Sequence, residues 1–227
     1  SENDVERVYG RYLEKRVLGQ HPIESSYARS AVQIMQGQSV LFATPFYRDL
    51  SDYLFYPMFM NLLRRRRGIA LIGRDGIDSE VAAWVEEGLA RVSNAPAMWR
   101  IRFLQDYRYQ PDVVIVPLKE IHNVPLFDEA RACLREVSFV LLLEPSRMIA
   151  RGQIGLKLLT SLCSQDPPTV FCSTDVNHDG LVDTLSHLLR TSILNVSATH
   201  ARASACSEML WDADGPYLHH RILTGIS

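Results

Sequence analysis

The 227-residue sequence lacks long apolar runs, a basic excess and any cysteine spacing typical of zinc sites. No apolar stretch is long enough for a membrane-spanning helix, and no signal-peptide pattern is found, so we expect no membrane contact from this segment. Lysine and arginine together number 24 against 26 aspartates and glutamates, a formal net charge of −2. Duplex-binding domains usually carry a basic excess, so the composition argues against an autonomous nucleic-acid binder, although not against a local patch.

Cysteine is scarce, and its spacing excludes common metal motifs. The four cysteines are Cys133, Cys163, Cys172 and Cys206, with no CxxC pair. Each lies in or beside an apolar stretch, so we expect buried thiols rather than disulfides, in a reducing, cytoplasmic compartment. The chain begins at Ser1 without a methionine, which predicts a domain excised from a longer protein.

Short apolar runs alternate with segments of helical periodicity along most of the chain. The predicted strands are Ser39–Thr44, Gly68–Gly73, Arg100–Gln105, Asp112–Pro117, Ser138–Leu143, Thr169–Ser173 and Ser192–Ala198. The predicted helices are Ser25–Gln36, Asp49–Arg67, Ser79–Val92, Phe127–Arg135, Gln153–Cys163 and Leu181–Leu189. Several strands are continuously apolar, which is typical of a parallel sheet covered on both faces. The pattern predicts one doubly wound, three-layer α/β domain over residues 1–227, with a mainly parallel sheet of about seven strands.

The ends of these strands resemble, in order, the motifs of the first motor domain of superfamily 2 (DEAD/DEAH-like) helicases. The segments that carry the resemblance are SSYARSAVQIMQGQSVLFATPF, DLSDYLFYPMFMNLLRRRRGIALIG, PDVVIVPLKEI, VSFVLLLEPSRMI and PPTVFCSTD. They correspond to the nucleotide-loop strand, motif Ia, the strand after it, Walker B and motif III. The resemblance spans about Tyr27 to Leu189 and implies a RecA-like fold of the P-loop NTPase type.

The nucleotide-loop positions depart from the family pattern. A working P-loop needs glycines whose backbone N–H groups wrap the phosphates, a lysine, and a serine or threonine for Mg²⁺. Here the loop runs from Thr44 to Leu50 without a glycine, Arg48 lies within it, and Asp49 stands where the lysine is expected. A carboxylate at that position would repel the phosphates.

The Walker B and motif III positions are also altered. Glu144 matches the family's catalytic acid, Leu143 replaces the metal-directing aspartate, and Ser146 follows; Thr174 alone matches motif III outright. With the lysine, the glycines and the aspartate all absent, we expect no ATP hydrolysis, no cofactor and no catalytic residue. The alternative for Glu144 is a structural ion pair with Arg147 or another cation.

Basic residues supply a candidate contact surface for nucleic acid or a protein partner. They are Lys119, Arg147 and Arg151 near strand ends, and the run Arg64, Arg65, Arg66 and Arg67. The alternative for the arginine run is structural, because cations favour a helix C-terminus and cap its carbonyls.

A weak calcium motif follows the motif III strand. Asp175, Asn177 and Asp179 reproduce the opening of a D-x-N-x-D-G loop, but the twelfth position is Ser186 instead of an acidic residue. An Asx-rich turn that caps the next helix explains the same residues.

Three functions remain open at this point. The first is a non-catalytic, helicase-like scaffold or interaction module, partnered by other domains of its parent or by another protein. The second is a nucleic-acid-binding lobe that works without ATP. The third is an unrelated doubly wound enzyme, because a fold alone does not fix a function.

Overall fold

The computed structural model describes residues 33–34, 36–44, 46–64, 66–94, 98–150, 152, 154–162, 167–175 and 180–196. Seven strands form one sheet: β1 (Ser39–Ala43), β2 (Arg67–Ile72), β3 (Ile101–Phe103), β4 (Val113–Val116), β5 (Val137–Leu143), β6 (Thr169–Thr174) and β7 (Ile193–Asn195). Their order is β3-β4-β2-β5-β6-β1-β7, and every pairing is parallel. All seven predicted strands are therefore present, each within two to three residues of its predicted ends.

The helices between the strands are α1 (Ser51–Leu63), α2 (Asp78–Ser93), α3 (Val124–Glu129), α4 (Arg131–Leu134), α5 (Pro145–Ala150), α6 (Ile154–Leu162) and α7 (Leu181–Leu189). Three short 3₁₀ turns are added at Tyr47–Leu50, Leu104–Tyr109 and Leu118–Glu120. Such single turns lack the length for a periodicity signal, which explains why the sequence did not predict them.

Alternate residues of the central strands point into two separate cores. Val40 and Phe42 of β1 pack with α1 and α2, whereas Leu41 between them packs with α6 and α7 on the other face. The same alternation holds along β2, β4, β5 and β6, because successive side chains of a strand point to opposite faces. The sheet is therefore the middle of three layers, as predicted.

Several predicted helix boundaries are wrong. The segment predicted as one helix from Asp49 divides into a 3₁₀ turn and α1, and Arg67 is the first residue of β2 rather than part of a helix end. The helix predicted from Phe127 begins earlier, at Val124, because Asn123 caps it by accepting a hydrogen bond from the Leu126 N–H at 3.2 Å.

Helix α2 begins without a side-chain cap, because its N-cap residue is Ile77. Helix α7 has Gly180 at its N-cap, with φ of 83°. Asn177 and Asp179 of the expected Asx-rich turn lie outside the described residues.

Cys133 and Cys172 are buried free thiols, as expected, and burial raises the pKa of both. The predicted helix Ser25–Gln36 lies mostly outside the described residues, as do Cys163 and Cys206. Within the described ranges, no helix is long and apolar enough to cross a bilayer.

Candidate functional site

The carboxyl ends of four central strands lie in one row, which the pairing register defines. Ile72 of β2 pairs with Leu143 of β5, and Leu143 pairs with Ser173 of β6. Ala43 of β1 pairs with Thr174 of β6. The residues that follow these strands therefore meet at one edge of the sheet, which we call the carboxyl edge: Thr44, Gly73, Glu144 and Asp175.

A topological switch point lies at this edge between β1 and β6. The helix that follows β1 covers one face of the sheet, and the helix that follows β6 covers the other. Ligands of open α/β sheets bind where the connections diverge in this way. Ser173 and Thr44 meet at that point, where the Ser173 hydroxyl donates to the Thr44 carbonyl oxygen at 3.5 Å.

A close backbone contact joins β2 to β5 at the same edge. The Gly73 N–H donates to the Leu143 carbonyl oxygen at 2.7 Å, and a Cβ atom on Gly73 would lie 2.1 Å from the Glu144 carbonyl oxygen. Only glycine fits there. Glu144 itself has a φ of 56°, in the left-handed region that is uncommon outside glycine, asparagine and aspartate. Strained backbone of this kind is frequent at functional sites and persists only where its surroundings fix it.

The Glu144 side chain is turned into the protein, with only 7% of the residue exposed. Its carboxyl oxygens accept the Asp175 N–H at 3.0 and 3.3 Å, and the Thr174 hydroxyl lies 3.4 Å away. Burial, together with the neighbouring Asp175 carboxyl, raises the pKa of Glu144 to about 8, and Arg74 opposes that rise. The group is therefore mainly protonated at neutral pH.

The expected pairing of Glu144 with Arg147 takes a different form. The described contact runs through the backbone, where the Arg147 N–H donates to the Glu144 carbonyl oxygen at 3.3 Å. Arg147 and Ser146 lie in the first turn of α5, with Arg147 exposed and Ser146 half-buried. The positive charge of Arg74, which follows β2, lowers the pKa of the Glu144 carboxyl and so opposes the effect of burial.

The segment after β1 is packed against the protein instead of forming an open loop. Thr44 is buried, and its hydroxyl oxygen accepts the Phe46 N–H at 3.2 Å. The Asp49 N–H donates to the Phe46 carbonyl oxygen at 3.0 Å. Tyr47 and Leu50 enter the core formed with α1 and α2, where the Tyr47 ring packs edge-on against Trp84 with centroids 4.8 Å apart.

Arg48 points away from this core. Its guanidinium forms a 2.9 Å salt bridge with Glu80 in the first turn of α2, and both side chains are about half exposed. Exposed pairs of this kind contribute little stability. Arg48 therefore links the segment after β1 to α2 at the surface, and it does not point into the Thr44–Glu144 region.

The remaining predicted contact residues are spread over two edges of the sheet. Lys119 is exposed after β4 at the carboxyl edge, whereas Arg64 and Arg66 are exposed near the start of β2 at the opposite edge. Arg67 has a structural role: its guanidinium donates to Gln110 at 2.7 Å, to Glu136 at 3.0 Å and to the Pro111 carbonyl oxygen. Arg65 and Arg151 lie outside the described residues.

The structure describes only part of the predicted calcium loop. Asp175 is exposed and its backbone is held by Glu144, whereas Asn177 and Asp179 lie outside the described residues. Among the residues that the structure does describe, no three acidic, histidine or cysteine side chains form a metal-binding group.

Sequence reasoning missed the parts of the site that depend on contact across strands. Gly73 ends a predicted strand and Arg74 comes next, but nothing in the sequence indicates that Gly73 packs against Glu144 or that the charge of Arg74 lowers its pKa. The one available signal was positional, because residues after neighbouring parallel strands share one edge.

Comparison with known proteins finds similar solved structures. No family model matches the sequence, and no curated protein does so either. Among solved structures, the chain is similar to the DEAD-box helicase Mss116 bound to ssRNA and UDP-BeF, with a TM-score of 0.61 and 13% identity. The chain has a RecA-like helicase fold. The match covers 83% of this chain but 45% of the helicase chain, so this chain spans less than half of that protein's length.

At 13% identity the similarity establishes the fold alone. It confirms the predicted three-layer, RecA-like architecture of the helicase type.

Proposed function

We propose that this RecA-like domain is non-catalytic and serves as a scaffold or interaction module, with its ATP site lost. The supporting observation is that backbone N–H groups of the segment after β1 donate their hydrogen bonds within that segment. The Phe46 N–H donates to the Thr44 hydroxyl and the Asp49 N–H to the Phe46 carbonyl oxygen. In P-loop proteins, backbone N–H groups of this segment donate to the phosphates.

Other features of the carboxyl edge agree with the proposal. By the motif resemblance, Asp49 stands at the position of the phosphate-binding lysine and Leu143 at that of the metal-directing aspartate. Leu143 is buried in the core. Glycine, lysine and aspartate are all needed in the phosphoryl-transfer machinery, so their combined absence argues against hydrolysis.

A second candidate function is ATP-independent binding of nucleic acid. The similar helicase structure contains ssRNA. In this chain Lys119, Arg74 and Arg147 follow the three neighbouring strands β4, β2 and β5 at the carboxyl edge. Cations in such a row suit contacts with successive phosphates, although the net charge of −2 gives no general attraction.

Phosphate release and thermal melting test the proposal together. At millimolar ATP–Mg²⁺ we expect no change in melting temperature, because a ligand stabilises only the state that it binds. Phosphate release should be equal for the wild-type chain, for Glu144→Gln and for a blank without protein. Hydrolysis by the wild type that Glu144→Gln abolishes would overturn the proposal. Melting with a single-stranded oligonucleotide at low and moderate salt separates the second candidate, which requires a salt-sensitive upward shift.

A further inference from the structure

A groove of about 700 Å³ lies between α6 and α7, remote from the carboxyl edge. Helix α6 ends shortly before β6 begins, and α7 ends shortly before β7 begins. The groove therefore lies towards the opposite edge of the sheet, where these strands start. Its volume is within the range of 300–1,000 Å³ that is common for binding pockets.

Basic side chains come from both walls of this groove. Lys157 projects from α6, and His187 and Arg190 come from α7 and its C-cap; all three are exposed. None of the described lining residues is acidic. The groove thus combines positive charge on both walls with hydroxyl groups of Thr160 and Ser186.

Hydrogen bonds between the two helices hold the walls in place. The Thr160 hydroxyl donates to the Leu188 carbonyl oxygen at 2.8 Å, and the Arg190 guanidinium donates to the Thr160 carbonyl oxygen at 3.1 Å. Arg190 is fixed further by its left-handed backbone, with φ of 53°, and by its N–H bond to the Ser186 carbonyl oxygen. A preformed groove avoids part of the ordering cost of binding.

The spacing of the cations indicates the shape of the ligand. The Arg190 guanidinium reaches the α6 wall, where it donates to the carbonyl oxygen of Thr160, three residues from Lys157. Lys157 and Arg190 therefore offer positive charge along one stretch of α6, and Leu188, which is 7% exposed, adds a small apolar surface to the lining. An extended acidic ligand with an apolar side chain fits this pattern.

We propose that the α6–α7 groove binds an acidic segment of a protein partner. The inference rests on the proposed interaction role, and it names the surface and the chemistry that carry this role. Carboxylates of the segment pair with Lys157 and Arg190, and an apolar side chain of the segment lies on Leu188. The guanidinium of Arg190 has five N–H donors, so it can hold the Thr160 carbonyl oxygen and a carboxylate together.

A purely structural role for these cations is the competing explanation. Cations near a helix C-terminus stabilise the helix through its macrodipole. That role predicts changes in melting temperature when the cations are replaced, but no binding of an acidic peptide. Binding at the groove therefore separates the two explanations.

The experiment is an NMR titration of the whole 227-residue chain with the peptide acetyl-Glu-Glu-Leu-Glu-Glu-amide. Amide shifts should concentrate on α6 and α7, and Lys157→Glu should weaken binding by at least about tenfold, because it turns an attraction into a repulsion. The matched control is Arg91→Glu, which makes the same change of charge at an exposed position of α2 on the other face. It should leave the affinity nearly unchanged. Lys157→Gln, which only removes the charge, should give an intermediate loss.

Three results would overturn the inference. They are shifts that fall outside the groove, equal losses from Lys157→Glu and Arg91→Glu, and binding of inorganic phosphate or of a single-stranded oligonucleotide at the groove as tight as that of the peptide. The test with ATP–Mg²⁺ measures phosphate release and melting temperature, and it concerns the carboxyl edge of the sheet rather than the groove. Failure of the groove and failure of the non-catalytic proposal can therefore be told apart.

Discussion

At the scale of single residues, Glu144 carries the clearest chemical signature. Its side chain is buried, and its backbone adopts a left-handed φ. Its carboxyl oxygens accept the Asp175 N–H, and its pKa is raised from an ordinary 4.5 to about 8. In the unfolded chain the same carboxyl loses its proton near its ordinary pKa. Between those two values the folded state binds a proton that the unfolded state does not.

This difference predicts a pH-dependent stability. Because the folded state holds the extra proton, the free energy of unfolding should fall as pH rises from about 4.5 to about 8, and level off above, by an amount on the order of 4 kcal/mol. Glu144→Gln keeps an acceptor for the Asp175 N–H but cannot ionise, so its stability should exceed that of the wild type increasingly towards pH 8. Urea unfolding at several pH values measures the difference. The exposed Glu86→Gln serves as control, and wild-type and Glu144→Gln curves that stay parallel would contradict the assigned shift.

At the scale of elements, the contact between α1 and α2 depends on a glycine, Gly88 of α2, which has no side chain. A Cβ atom on Gly88 of α2 would lie 2.2 Å from the ring of Phe55 in α1. Phe55 is fully buried, and its ring also packs edge-on against Trp84 with centroids 4.9 Å apart. The two helices therefore approach as closely as glycine permits.

Gly88→Ala should destabilise the protein by about 1–3 kcal/mol through this overpacking. The sign is informative, because alanine is otherwise favoured over glycine inside a helix by about 1 kcal/mol. Phe55→Leu removes the ring that the new methyl group meets. The double variant Phe55→Leu/Gly88→Ala should therefore lose less stability than the sum of the single variants. Strict additivity in thermal or urea unfolding would show that the helices move apart instead.

At the scale of the whole molecule, the sheet connects two cores that share the same strands. Trp84 and Trp99 belong to the layer of α1 and α2, and Cys133 and Cys172 belong to the opposite layer. Each central strand contributes alternate side chains to both. We propose that the chain is a single domain, in which neither layer persists without the other.

The proposal predicts that both layers unfold together. Tryptophan fluorescence of a Trp211→Phe variant, which keeps Trp84 and Trp99, follows the first layer. Pulse alkylation of Cys133 and Cys172, resolved by peptide mass mapping, follows the second in the same variant. The two midpoints in urea should coincide, as for one cooperative unit. Alkylation of Cys133 and Cys172 at lower urea than the fluorescence change would show that the layers are separate units.

The sequence by itself determined the strands, the three layers and the parallel sheet. Continuous apolar runs such as Val113–Val116 and Val137–Leu143 leave few other arrangements, because a strand that is apolar on both faces must be covered on both. It also identified residues at the ends of the strands, including Thr44, Glu144 and Thr174. The positions and ends of strands are local properties of the chain, so the hydrophobic periodicity of the sequence predicts them.

Only the tertiary structure decided what these residues do. The close approach of Gly73 to Glu144, the direction of the Glu144 carboxyl and the bonds of Arg67 all join segments that are distant in sequence. The groove between α6 and α7 likewise depends on how two helices pack. Burial and charge are set by these long-range contacts. The sequence therefore indicated where the site lies, and the packing set its pKa, its geometry and the surface that we propose for a partner.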